Sequence, residues 1–149
     1  MKKRVYLLIF LITGLFFLML DQWLKWQSLH NWSQAQLLNK FLGWQPHLNP
    51  GIAFGLPLPN WITVLFTLTV LVILIYFIKT RILKTIGCEL LAVNLVIIGA
   101  LSNLIDRLIY QHTVDYLLIL TGIINLADAL IVIGFLLFFL QNYNRNQQK

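Results

Sequence analysis

Asp115 and Asp128 are the residues of this chain with the most chemistry to offer. Asp128 is the only charge in the 25 residues from Tyr116 to Leu140. A carboxylate in such a run costs at least ~2.5–3.5 kcal/mol on insertion scales, so it marks a functional site by default. Asp115 alone is an acid near water; beside Asp128 it becomes half of a pair. Two carboxylates held close cannot both ionise cheaply and so share a proton. One can then take a proton from water while the other protonates or polarises a carbonyl oxygen. Proton relay and cation transport are the competing uses.

The spacing sets a condition on the chain. Thirteen residues on one continuous helix span about 20 Å, too far to share a proton. If the two acids act together, the last helix must start after about Gly122, with Asp115–Leu120 extended or irregular across the site. Thr121-Gly122 is where that break is expected.

Other polar groups fall in helical register with these two. Asn125-x-x-Asp128 puts an amide and a carboxylate on one face, either as a reaction site or as a structural polar pair. Gly99-x-x-x-Asn103-x-x-Asp106-Arg107 lines one face of an apolar segment. Gly99 permits close helix approach, and Asn103 can hydrogen-bond across helices. Arg107 can fork onto a carboxylate or a lipid phosphate. Asp21 and Lys25 stand at i and i+4, where they can pair. That pair is either an interfacial ion pair or a brace for the site.

Other chemistries find less support. His30, His47 and His112 lack the short spacing of a metal-binding helix, so no metal is expected. No phosphate-binding glycine loop occurs, nor a Ser-x-x-Lys or Gly-x-Ser-x-Gly nucleophile pattern. Ser28, Ser33 and Ser102 pair with no evident base. The one cysteine, Cys88, excludes an intrachain disulfide and reads as a small apolar filler.

The elements that must position these residues are membrane spans. Of the 149 residues 59% are hydrophobic and 11% charged, and that charged share is about half of what a soluble domain carries. Four apolar stretches, each near the ~20 residues that cross a bilayer, predict spans at about 5–25, 60–79, 86–107 and 122–141. The expected architecture is one all-α, polytopic membrane domain over residues 1–149. The first stretch follows Lys2, Lys3 and Arg4 but lacks a small-x-small cleavage pattern, so a retained span is expected.

Eight of the eleven basic residues fall on the side of both termini and the middle loop. The positive-inside rule therefore predicts both ends in the cytoplasm. The net charge of +6 borders the spans and needs no nucleic acid to explain it. On this topology four of the five acids, all but Glu89, converge on the outer face. The outer segment 26–59 is flanked or threaded by Trp23, Trp26, Trp32, Trp44 and Trp61, and is expected to rest on the membrane surface. Short strands are expected near Lys40–Gln45, a turn at Asn49-Pro50-Gly51, and non-helical chain through Pro57 and Pro59.

Five motifs in order now suggest a family: Asp21-x-x-x-Lys25, Asn49-x-Gly51-x-Ala53-Phe54, Gly99-x-x-x-Asn103-x-x-Asp106-Arg107, Val114-Asp115 and Asn125-x-Ala127-Asp128. Across essentially the whole chain they resemble the bacterial lipoprotein signal peptidases (signal peptidase II). The resemblance implies a cofactor-free aspartic endopeptidase of the cell membrane, with its site toward the outer face. It would cut diacylglyceryl-modified prolipoproteins just before the lipidated cysteine. It implies Asp115 and Asp128 as the catalytic pair. Asn49, Gly51, Gly99, Asn103, Asp106, Arg107, Asn125 and Ala127 would bind substrate or organise the site, supported by Asp21 and Lys25. It also implies a small β-structured cradle between the first two spans. The expected partners are prolipoproteins and membrane lipids, with the protein itself a monomer.

The chain departs from the usual pattern in places. Ile98 and Ser102 replace two glycines before Asn103, and Tyr116 stands where Phe is common. The stretch between the two acids is short, with Ile123-Ile124 before the asparagine. A small proton- or cation-coupled transporter and a non-catalytic helper that binds precursors are the rival readings.

Overall fold

The structure is a computed structural model that describes residues 2–51, 58–80 and 88–147. Four helices carry it: α1 (Lys2–His30), α2 (Asn60–Thr80), α3 (Cys88–Tyr110) and α4 (Leu126–Gln147). Each contains a stretch long and apolar enough to cross a membrane. At 29 residues, α1 is about 44 Å long, well beyond the ~30 Å of hydrocarbon. Nothing between Lys25 and His30 breaks it, so the helix continues five residues past the expected end of the span.

The third helix, α3, is central. Some 56% of its span is buried, against 11% for α1 and α2 and 17% for α4. Leu71, Ala100 and Leu104 form one apolar cluster between α2 and α3. Leu90 and Val93 form another with Phe10, Phe77 and Phe138. Lipid is as apolar as these side chains, so close packing and polar contacts must hold the helices together. Gly99 and Gly134 bring α3 and α4 close. A Cβ on Gly99 would strike the Ala127 carbonyl oxygen and come within 2.7 Å of Ile131, and one on Gly134 within 2.6 Å of the Ala92 oxygen. Lower in the bundle, Asn94 Nδ2 donates to the Phe10 carbonyl at 2.9 Å and ties α3 to α1.

A four-stranded antiparallel sheet caps one end of the bundle: β1 (Gln36–Asn39), β2 (Leu42–Asn49), β3 (Thr113–Ile119) and β4 (Gly122–Ile124), in that order. This corrects two expectations. The β-structure is not confined to the segment between the first two spans, because half of it comes from the α3–α4 connection. And α4 begins at Leu126 rather than 122: the extended chain expected after Asp115 is β3, but Gly122–Ile124, expected inside the span, is β4, which pairs with β3 as a hairpin. A short apolar run has no periodicity to separate strand from helix. Here β2 decides, pairing Leu48 with Val114 and Leu42 with Ile119. The strands near Lys40–Gln45 do occur, but Lys40 and Phe41 form the turn between β1 and β2. The β2–β3 register slips between Trp44 and His47, where Pro46 has no N–H to offer the ladder. Ala53, Phe54, Pro57, Arg81 and Lys84 lie outside the described residues.

Gly99→Leu should lower detergent-phase thermal stability by about 1–3 kcal/mol through overpacking against Ala127. Gly122→Ala, which meets nothing within 4 Å, should leave it unchanged. Equal melting curves for the two variants would refute this account of the α3–α4 contact.

Candidate active site

Asp128 owes its position to the start of α4. Asn125 is the N-cap of that helix and Asp128 its third residue. The Asn125 Oδ1 accepts the Asp128 N–H at 2.8 Å, and Asp128 Oδ2 accepts the Asn125 N–H at 3.4 Å. This is a capping box, with an Asn–Asp pair satisfying two orphan donors reciprocally. The next donors are also used. Leu126 N–H gives to the Tyr116 hydroxyl at 3.0 Å, Ala127 N–H to Asp21 Oδ1 at 3.2 Å, and Ala129 N–H to the Asn125 carbonyl at 3.3 Å. A helix end buried among other elements needs such partners, and here the site residues supply them.

Asp115 arrives on β3. Asn125 Nδ2 donates to its Oδ1 at 2.6 Å, and Asn49 Nδ2, from the end of β2, to its Oδ2 at 3.0 Å. One asparagine, Asn125, thus touches both acids. The extended chain after Asp115 and the late helix start are the conditions under which the two can meet. Asp115 is 1% exposed, while Asp128 is partly open. Burial, and then the like charge of Asp128, raise the Asp115 carboxyl to about 6, against the pull of Asn49, Asn125 and Lys25. Among the described residues neither acid forms an ion pair.

Asp21 and Asp106 do. Lys25 Nζ lies 2.8 Å from Asp21 and 2.7 Å from Asp106, with all three side chains at most 1% exposed. The Asp21–Lys25 pair is therefore a buried brace, not an interfacial ion pair. Asp106 also accepts the Val114 N–H at 3.1 Å, which tethers β3 one residue before Asp115. Lys25 donates to Asn103 Oδ1 at 3.0 Å, and Asn103 Nδ2 then faces Asp128 Oδ1 at 2.8 Å. The ammonium charge thereby orients the amide so that its NH2 meets the carboxylate. Arg107 does not fork onto a carboxylate; it donates to the Gly51 carbonyl and to Thr63 Oγ1 at 3.0 Å. Gly51 N–H donates in turn to Asn49 Oδ1 at 2.9 Å, so Arg107 steadies the turn that holds Asn49 on Asp115.

Sequence reasoning passed over three contributors. Ser102 Oγ donates to Asp21 Oδ2 at 2.6 Å, and Tyr116 Oη to Asp21 Oδ1 at 2.9 Å. Gln22 Nε2 reaches Asp106 at 2.9 Å. Ser102 lies one residue from Asn103 and four residues C-terminal to Ile98; a serine embedded in a motif face was the available signal. Tyr116 was visible only as a departure from the usual Phe. Burial and the Asp21 charge push its hydroxyl pKa up, which keeps it a donor. Among the described residues no group of three or more His, Cys, Asp or Glu gathers as metal ligands would.

Removing Lys25 should hurt more than removing one neutral donor. Lys25→Met leaves two buried carboxylates uncompensated, worth about 3–5 kcal/mol of stability. Tyr116→Phe deletes the hydrogen bond to the Asp21 carboxylate, worth about 1.5–3 kcal/mol, and the one accepted from Leu126 N–H, worth about 1 kcal/mol, and leaves no charge uncompensated. Thermal unfolding in detergent should rank them so, and the reverse order would refute the cluster as described.

This arrangement sits on a known framework. The signal peptidase (SPase) II family matches residues 13–144. A lipoprotein signal peptidase of Shouchella clausii is 34% identical over 140 residues, covering 87% of this chain and 89% of that protein. One from Halothermothrix orenii is 44% identical over 96 residues, covering 62% and 63%. That of Bacillus subtilis is 28% identical over 145 residues, covering 90% and 92%. A solved structure described as a bacterial membrane enzyme, obtained by the in meso method at 2.3 Å resolution, has the same fold. Its TM-score is 0.87 over 95% of this chain and 91% of that one, at 24% identity. With four helices able to cross a membrane and a family match over most of its length, the chain is a multi-pass membrane protein that belongs to the signal peptidase II family.

Proposed function

We propose that this protein is an aspartic endopeptidase that removes the signal peptide from diacylglyceryl-modified prolipoproteins, cutting before the lipidated cysteine. Asp115 and Asp128 form the dyad and share one proton. The observation that carries this reading is Asn125. Its side-chain Nδ2 contacts Asp115, while its side-chain Oδ1 and backbone N–H hold Asp128, so two carboxylates with no ion pair among the described residues meet at one residue. Family membership supports the substrate class.

The chemistry follows from general principles. The ionised member of the pair takes a proton from a water, and the water oxygen bonds to the scissile carbonyl carbon. The protonated member gives its proton to the carbonyl oxygen. Collapse of the tetrahedral species breaks the C–N bond, and the departing amine receives a proton from the dyad. Asn49, Asn103 and Asn125 keep amide N–H groups on the carboxylates and orient them. Arg107 and Gly51 steady the chain beside Asn49, and Gly99 and Ala127 let α3 and α4 approach closely enough. No cofactor has a part in these steps.

The positive-inside bias supports an N-in, C-in orientation with the dyad at the outer face of the cytoplasmic membrane. A lipid-anchored precursor offers its scissile bond near that depth. A transport reading would need acids along a path across the bilayer. Here Glu89, toward the other end, is engaged by Arg145 at 3.1 Å.

The test is purified protein with a diacylglyceryl-modified precursor. Cleavage immediately before the modified cysteine is expected. Asp115→Asn and Asp128→Asn should each reduce turnover by several orders of magnitude while the protein remains inserted. A helper protein would tolerate both changes, and full activity in the double variant would end the peptidase reading. The pH dependence has a definite sign as well. The raised pKa of Asp115 keeps a proton on the pair to higher pH than a free carboxyl would. Thus kcat/KM should fall on the alkaline side with an apparent pKa of about 6 or above. A profile flat through the neutral range would contradict it.

A further inference from the structure

The end of the sheet farthest from Asp115 is apolar where turns facing water are polar. Two turns meet there. Leu120 N–H, in the β3–β4 turn, donates to the Phe41 carbonyl, in the β1–β2 turn, at 2.7 Å. Around them Leu38 is 80% exposed, Leu120 67%, Leu37 54%, Phe41 48%, Leu42 46% and Ile119 43%. Monomeric soluble surfaces rarely carry such a contiguous patch; it marks a partner or a membrane.

The backbone reinforces the point. Leu37 pairs with Gly43 and Asn39 with Leu42, so Leu38 is an unpaired bulge residue turned out of the ladder. Leu120 holds φ at 57°, in the left-handed region that Gly or Asn would occupy without strain. An exposed leucine kept in a strained turn is poorly explained by contact with water.

Three observations select lipid as the occupant. The hairpin springs from the membrane boundary: β4 ends at Ile124, and the apolar span of α4 starts at Leu126. An aromatic chain also ties the sheet to the exposed tryptophans of α1. Trp23 meets Trp32 at 5.6 Å, Trp32 meets Trp44 at 5.4 Å, and Trp44 stacks on Tyr116 at 4.8 Å. Tryptophans of this kind favour the headgroup layer. Finally, residues 36–43 and 117–124 contain one charge, Lys40, and no acid. Its ammonium lies 4.8 Å from the Phe41 ring centroid, placed to meet lipid phosphate while the neighbouring side chains go deeper.

We propose that this end of the sheet inserts into the lipid leaflet at the Asp128 end of the spans. Leu38, Phe41 and Leu120 lie below the headgroups and Lys40 lies at the phosphates. Insertion is limited to side chains, because the open edge of β4 would expose unpaired backbone groups to hydrocarbon if it went further. The strand that carries Asp115 is thereby pinned to the bilayer surface four residues, about 13 Å, beyond that acid. The proposal stands independently of the peptidase reading.

Nitroxide labels at Leu38→Cys and Leu120→Cys, each in a full-length Cys88→Ser background, test it in vesicles of phosphatidylglycerol and phosphatidylcholine. Collisions with oxygen, which partitions into lipid, should exceed collisions with a water-soluble nickel chelate several-fold. A label at Leu136→Cys on the exposed face of α4 sets the lipid reference. Chelate access equal to or above oxygen access would place the tip in water and overturn the proposal. Protection from both reagents would mean a protein or a second copy covers it, and would overturn it too. If Leu120→Cys fails to fold, Leu38→Cys decides alone, since its side chain is the most exposed of the six.

Discussion

One ammonium holds the sheet-capped half of this protein together. Lys25 on α1 contacts Asp21 on its own helix and Asp106 on α3, all three removed from solvent. Burying three charges is tolerable only when their remaining hydrogen-bonding capacity is filled. It is filled by groups from other elements: Ser102 of α3, Tyr116 and Val114 N–H of β3, and Ala127 N–H of α4. Together those bonds fix α3, β3 and the start of α4. The cluster is thus the point at which α1, α3, α4 and the sheet acquire a common reference.

The candidate dyad is built outward from that reference. Lys25 orients Asn103, which contacts Asp128; Asp106 tethers Val114, which precedes Asp115. The two pairs of acids therefore divide the work by environment. Asp21 and Asp106 have a cation and remain structural. Asp115 and Asp128 accept hydrogen bonds from neutral amides in its place, which in the proposed dyad leaves a proton to be shared. Two hydroxyls, of Ser102 and Tyr116, converge on opposite oxygens of Asp21. They strengthen the brace and leave the dyad contacts untouched.

The membrane makes these polar contacts decisive. Helices surrounded by lipid gain little from burying apolar surface against each other. Close approach at Gly99 and Gly134 supplies dispersion, and the polar cluster supplies direction. Along the lower bundle, contacts such as Asn94 with Phe10 do the same with fewer groups. The sheet adds a non-helical surface, and its apolar tip continues the lipid-facing character of the spans beyond their ends.

Sequence alone determined the four apolar helices and the residues that meet at one end of them. Both depend on composition and helical spacing, which are local. The face 99, 103, 106 and the pair 125, 128 were legible for that reason, as was the need for a break before α4. Sequence could not decide that Tyr116–Ile124 is a hairpin. An apolar run fits strand or helix equally, and only pairing with β2 chooses. Nor could it decide that Asp21 and Lys25 are buried, that Arg107 serves Gly51 and Thr63, or that Ser102 and Tyr116 belong to the same cluster. Those assignments depend on contacts 44 to 106 residues apart in sequence, in which one buried charge selects among many possible donors. The selection follows from desolvation: a buried group binds whichever partner the fold brings within about 3 Å.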